Sequence, residues 1–426
     1  MPNLVQRRVH MHRLARFAGI RPAGRSWNQP GTAAAAEGSS PPSHPASSDW
    51  QLPLAGERIC AWFAGPYPRR VEITEPWQVD DVRERVGKRL NEFLAVQRPP
   101  LASISSDAAG LADTVSEFVS GGKRLRAVFL YWGWRAAGGA DCEPIITAAA
   151  SMEMLQACAL IHDDVMDRSD VRRGAPAVHR QYQTQHEQGS WSGSAADFGT
   201  GSAILVGDLC LTWADMLLMQ ADLPPDALGR GKAVYDELRT ELMAGQYLDI
   251  LEQARRTPTA ESAMRVITYK SAKYTIERPL QLGAALADGQ PEVLQLLRDY
   301  GLALGQAFQL RDDLLGVFGD PATTGKPAGD DLLQGKRTVL VAHALAQAAP
   351  EQQQEFLAAF GDPAADATAV TAMTDFIIAT GAQGQVEQQI AALTEQARTA
   401  AASPLLDSTS AAVLDSLITA ATKRKY

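Results

Sequence analysis

Two apolar helical runs in this 426-residue chain end in paired aspartates, and no other feature restricts the fold as much. The first runs from Met152 through Met154, Leu155, Gln156, Ala157, Cys158, Ala159 and Leu160 into Ile161-His162-Asp163-Asp164-Val165-Met166-Asp167. The second runs from Tyr300 through Phe308-Gln309-Leu310-Arg311 to Asp312-Asp313, after which Gly316, Gly319 and Pro321 break the pattern. On a helix, Asp163 and Asp167 share one face while Asp164 is turned aside by about 100°. Like charges on one face repel, so they belong in water or around a hard cation. An exposed acidic helix end would explain one such cluster but not two. If the helices pack side by side with these ends together, the carboxylates form a cage for Mg²⁺ and a diphosphate, because Mg²⁺ takes one or two carboxylates and completes its shell with water and phosphate oxygens.

Cations stand at helix boundaries to complement that cage: Lys123 and Arg126 after Gly121-Gly122, Arg172-Arg173 before Gly174, Lys273, Lys326 after Gly325, and Lys336-Arg337 after Gly335. Glycine lets the backbone approach a phosphate closely, and Arg offers it a bidentate fork. One such cluster is usually a solvated face. Together with two aspartate pairs, they fit a pocket for two diphosphates, one bridged by metal and one held by cations alone.

From about residue 78 the pattern is helix after helix. Helices are expected over 79–96, from Lys123, over 145–167, 203–220, 228–253, 259–287 and 291–316, with shorter ones to 423; 189–201, rich in glycine, reads as a flexible insertion. No segment alternates with period two. The expectation is an all-α chain, a large helical bundle over 57–426, preceded by a disordered tail over 1–56 whose Ala/Ser/Pro/Gly-rich stretch cannot form a core. The Arg-rich start lacks the apolar core of a secretory signal, so a tail with no folded role, or a start assigned too far upstream, is preferred to a targeting sequence. A net charge of −9 speaks against a nucleic-acid partner. Cys60, Cys142, Cys158 and Cys210 show no CxxC spacing, which suits a reducing cytoplasm, and no membrane span of roughly 20 apolar residues is expected.

Residues from about 78 to 424 resemble the trans-isoprenyl diphosphate synthase (polyprenyl synthetase) family. The resemblance rests on motifs in the family's order: Gly121-Gly122-Lys123-Arg124-Leu125-Arg126; Asp163-Asp164-Val165-Met166-Asp167 through Arg172-Arg173-Gly174; Gly207-Asp208; Gly245-Gln246-Tyr247-Leu248-Asp249; Lys273; Phe308-Gln309-Leu310-Arg311-Asp312-Asp313; Gly325-Lys326-Pro327; Gly329-Asp330-Asp331; and Gly335-Lys336-Arg337-Thr338. It implies an isoprenoid synthase fold around a deep central cavity, a homodimer, and three Mg²⁺ ions. It also implies head-to-tail condensation of isopentenyl diphosphate with an allylic diphosphate. Asp163, Asp167 and Asp312, supported by Asp164 and Asp313, would hold the metal. Arg172, Lys273 and Lys326 would neutralise the allylic diphosphate, and Gln309 would line its site. Lys123, Arg126 and Arg173 would bind isopentenyl diphosphate.

Two positions depart from the family. Gln156 stands where the family often has a His that contacts isopentenyl diphosphate; an amide can still donate a hydrogen bond. Gly316 stands where a full second DDxxD would carry its last Asp, and Asp330 and Asp331 are candidates to compensate. His162, beside the metal cluster, is expected to support it and not to ligate, because Mg²⁺ prefers oxygen. The resemblance also implies that chain length is set on the helix before the first motif: Cys158 and Ala159 are small and let the tail pass, with Met154 and Leu155 the next stops. Geranylgeranyl diphosphate is therefore the expected product, with longer chains or farnesyl diphosphate as alternatives. A terpene cyclase would not need the second cationic site, and a regulatory subunit would typically have lost one aspartate motif.

Overall fold

Helix α4, Glu143–Met166, is apolar on nearly every side, and such a helix must lie inside a protein. The computed structural model describes residues 77–255, 258–320, 329–362 and 364–422, so the tail expected over 1–56 lies outside the described residues. α4 is packed by α1 (Trp77–Ile104), α3 (Leu125–Ala136) and α6 (Ala195–Met219). α1 turns Val82, Val86, Leu90 and Phe93 inward at helical spacing, each burial contributing about 1.5–3 kcal/mol. A second group of helices is formed by α7 (Pro225–Ala254), α8 (Ala260–Val266), a π-helix at Ile267–Glu277, α9 (Arg278–Leu286) and α10 (Pro291–Phe318). After α11 (Asp330–Leu333), helices α12 (Val339–Gln347) through α16 (Ser408–Thr422) complete the all-α bundle. A satellite core there includes the contacting rings of Phe356, Phe360 and Phe376.

Several local expectations need correction. The stretch 259–287 is not one α-helix, since the π-helix interrupts it. Glycines on both neighbours let that wider helix fit: a Cβ on Gly305 of α10 would meet the Cα of Ala272 at 2.6 Å, and one on Gly245 of α7 the Cα of Lys270 at 2.8 Å. The glycine-rich stretch 189–201 is a short turn over 189–194 followed by the first turns of α6. Ser194 accepts a hydrogen bond from the Asp197 N–H as the N-cap of α6, and α6 starts at once. α2 (Ser106–Phe118), α5 (Val178–Gln188) and a hairpin of Val171–Arg172 with Ala175–Pro176 were not expected either. Among the described residues α4 and α6 are long and apolar enough to cross a membrane by length and composition alone, and 72% of the apolar window of α4 and 44% of that of α6 is buried inside the bundle.

Candidate active site

The C-terminal ends of α4 and α10 open onto one cavity of about 640 Å³, lined at that rim by Asp163, Asp312 and Asp313 and by Asp330, Asp331 and Lys336 of the following segment. Lys270 of the π-helix reaches across to it. Its Nζ lies 2.9 Å from Asp163 and 2.6 Å from Asp249 of α7, and Gln246 of α7 donates to Asp163 at 3.0 Å. Burial alone would raise the Asp163 pKa, but Lys270 and then Arg172 hold it below the usual range. Its neighbours differ: burial and the Asp163 charge push Asp167 up to about 6, and burial pushes Asp313 up to about 7 although Gln309 donates to it at 2.8 Å. Crowded carboxylates that favour protons in this way are stabilised by a divalent cation.

At the other end lie Lys123, Arg126, Gln156 and Tyr274. Gln156 accepts a hydrogen bond from the Tyr274 hydroxyl at 2.8 Å. Arg126 donates to Thr275 at 2.7 Å, and its guanidinium sits 4.3 Å from the centre of the Tyr274 ring. Between the two ends, the hairpin turn places Arg173 and Gly174 at φ 54° and 79°. Both values are positive, as a two-residue type I′ turn requires, and an arginine there costs roughly 1–2 kcal/mol. The turn sends its arginines apart. Arg172 lines the cavity and grips buried Asp164, donating from Nε at 2.8 Å, while Arg173 donates to the Phe118 carbonyl at 3.4 Å.

Of the residues singled out in the sequence, Asp163, Asp312, Asp313, Lys123, Arg126, Arg172, Gln156, Gln309 and Ala159 line this cavity. Asp164 does not; it orients Arg172. Asp167 stands beside the rim, within the fields of Asp163, Lys270 and Lys336. Arg173 faces a small crevice behind the cationic end, and Lys326 lies outside the described residues. Lys273 does not line the cavity: it is buried in an ion pair with Glu241 of α7, and Lys270, three positions earlier, lines it. Cys158 is also turned away, with Sγ 3.8 Å from Nδ1 of His162, while Met154 and Leu155 are fully buried in the core. His162 points to α6, with Nε2 3.0 Å from the Ile204 carbonyl. Sequence reasoning thus missed Lys270 and the roles of Gln246, Asp249 and Tyr274. Gln246 and Asp249 stood in a recognised motif, and Lys270 was separated from Lys273 only by the pitch of the helix.

The sequence model of the polyprenyl synthetase family matches residues 109–377. The chain belongs to the polyprenyl synthetase family. Its fold is the isoprenoid synthase bundle, and it is an enzyme, a trans-isoprenyl diphosphate synthase. It is 33% identical over 282 residues to a geranylfarnesyl diphosphate synthase of Natronomonas pharaonis, covering 62% of this chain and 74% of that protein. To an octaprenyl diphosphate synthase of Escherichia coli it is 34% identical over 275 residues, covering 63% and 77%. A geranylgeranyl pyrophosphate synthase of Corynebacterium glutamicum, solved with isoprenyl diphosphate and magnesium, superposes with a TM-score of 0.79 at 41% identity over 82% of this chain and 99% of that one.

The rim of this polyprenyl synthetase suits Mg²⁺. Its facing donors are carboxylate oxygens, and among the described residues no three His, Cys, Asp or Glu side chains gather into a complete cage. The donor type is the one Mg²⁺ takes, but the closed cage of carboxylates expected from the sequence is not assembled among the described residues. The departure at Gly316 also has a counterpart in space. Asp331 fills the room beside Gly316, so that a Cβ on the glycine would fall on its Oδ2, and Lys336 pairs with the other oxygen at 2.8 Å. A carboxylate from the following segment therefore stands where the second motif lacks one.

Proposed function

We propose that this polyprenyl synthetase joins isopentenyl diphosphate to an allylic diphosphate, with Mg²⁺, and that its main product is geranylgeranyl diphosphate. The observation that carries the reading is one cavity with a carboxylate rim at one end and a cationic corner at the other. In this reading Asp163, Asp167, Asp312 and Asp313, with Asp331, would hold the magnesium, which supplies charge stabilisation to the departing diphosphate. Arg172 and Lys270 neutralise the same group. Lys123, Arg126, Arg173 and Gln156 hold isopentenyl diphosphate so that its double bond faces the allylic carbon. The allylic C–O bond breaks, the isopentenyl terminal carbon bonds to the allylic carbon, and a proton passes from the adduct to the departing diphosphate. The released charge is met by groups already in place, and enclosure keeps water from capturing the cation.

Product length rests on α4. Ala159 and Leu160 of that helix line the cavity one turn below Asp163, and Ala159 offers no bulk to stop a tail. The volume, about 640 Å³, lies within the roughly 300–1,000 Å³ of pockets that enclose a whole ligand. The reading includes a homodimer, for which the exposed Ile204, Leu205 and Met219 of α6 offer an apolar face, and a cytoplasmic setting. Light scattering of the purified protein reads that mass directly. For the reaction, turnover with geranyl diphosphate and labelled isopentenyl diphosphate should appear with Mg²⁺ and vanish with EDTA; folded protein without turnover under either condition would overturn the proposal.

A further inference from the structure

Behind the cationic end of the cavity, a carboxylate is enclosed by arginines. Glu153 of α4 is 9% exposed. Its Oε2 lies 3.9 Å from the NH1 of Arg124, and it faces the small crevice shared with Phe118, Val119, Gly121, Gln156 and Arg173. Arg124, Arg126 and Arg173 all act on its charge, as does the backbone N–H of Ala127 in the first turn of α3. Burial holds the carboxyl above its usual range, although the three guanidinium groups pull against it.

The arginines come from two separate segments, and Arg126 is held from the other side by Thr275 and the Tyr274 ring. Arg124 adopts φ 47° at the N-cap of α3 and donates from NH2 to the Val119 carbonyl at 3.0 Å. Its NH1, like the Nε of Arg126, is buried without a hydrogen-bond partner. Arg173 rests on the strained hairpin turn and donates to the Phe118 carbonyl. Three like charges crowded at one protein corner repel one another, and in a low-dielectric setting that repulsion is stronger than in water.

We propose that Glu153 is a positioning residue: its carboxylate, standing behind Arg124, Arg126 and Arg173, sets the spacing of the guanidinium groups that receive the second diphosphate. The inference rests on the reading of that corner as the isopentenyl diphosphate site. Glu153 touches neither substrate in this arrangement. It offsets the mutual repulsion of the arginines and fixes the start of α3, so that Arg126 and Arg173 meet the diphosphate already oriented. Losing that orientation weakens charge-assisted hydrogen bonds at one site and leaves the metal rim alone.

The test is Glu153→Gln, which keeps shape and removes charge. In the full-length protein the KM for isopentenyl diphosphate, and its Kd measured calorimetrically in EDTA, should rise about tenfold, while the KM for geranyl diphosphate stays within about twofold. The melting temperature is read alongside. Arg124→Gln should give the same selective rise, and the double variant should be no worse than either single one. Equal rises for both substrates, no change, or tighter isopentenyl diphosphate binding would overturn the inference. If Glu153→Gln does not fold, Arg124→Gln carries the test, and an unchanged KM there overturns it. Lys123→Ala separates the two levels: a selective effect there but none at Glu153 removes this inference alone, whereas a wild-type protein that neither binds nor turns over isopentenyl diphosphate removes the site reading beneath it.

Discussion

Lys270 and Lys273 lie on one turn of the same helix and have different tasks. Lys270 bridges Asp163 and Asp249 at the rim, and Lys273 is buried against Glu241. Lys270→Ala should therefore lower kcat about 100-fold, the scale of losing one preorganised cation at a leaving group. Lys273→Ala should leave kcat within about threefold and lower stability by about 1–3 kcal/mol, because Glu241 loses a buried partner. Steady-state kinetics and denaturant midpoints on both variants check this, and the reverse pattern would restore Lys273 to the site. Gly316 offers a second check. Gly316→Ala would displace the Asp331 carboxylate and should raise the Mg²⁺ concentration for half-maximal rate about tenfold, whereas a magnesium titration indistinguishable from wild type would mean that Asp331 serves only Lys336. The aspartate pairs were legible in the sequence because their charge makes no sense in a core. The choice between two lysines three positions apart was not, because it depends on helix pitch, and pitch is decided by packing.

That packing is the business of the elements. The π-helix runs between α7 and α10, whose glycines press backbone to backbone against it, and the apolar pattern of 259–287 carries no mark of the widened turns. What ties it to its neighbours is charge. Glu241 pairs with Lys273 and, at 2.7 Å, with the Nε of Arg278 of α9. Burial would raise the Glu241 pKa, but Arg278 and then Lys273 bring it below its usual 4.5. A carboxyl depressed in the folded state contributes stability above its unfolded pKa and loses it as pH falls through the folded value. Glu241→Gln should thus cost about 2–4 kcal/mol at pH 7, and the gap from wild type should narrow as pH falls below about 4.5. A pH-independent gap in denaturant titrations would contradict the ion-pair account. The register of α4 makes a separate prediction. Ala159 faces the cavity and Cys158 faces His162, so Ala159→Phe should shorten the product, whereas Cys158→Phe should overpack the core and lower stability by about 1–3 kcal/mol. Chromatography of the products and a melting curve separate the two.

At the scale of the whole molecule, helical class could be read from periodicity, and the two aspartate-bearing helix ends could be picked out by charge, but their meeting entered only as a condition on packing. The hairpin that splits Arg172 from Arg173, and the segment that carries Asp331 to Gly316, could not be read that way: both are contacts between residues distant in sequence or turned by φ > 0, which no periodicity encodes. The resulting cavity has two chemically different ends, and the account stands on their joining one allylic unit to one isopentenyl unit. The most direct measurement is chromatographic analysis of products made by the purified protein with Mg²⁺, labelled isopentenyl diphosphate and, separately, dimethylallyl, geranyl and farnesyl diphosphates. A labelled twenty-carbon diphosphate is expected from all three starters. Folded protein that incorporates no label from any of them would contradict it.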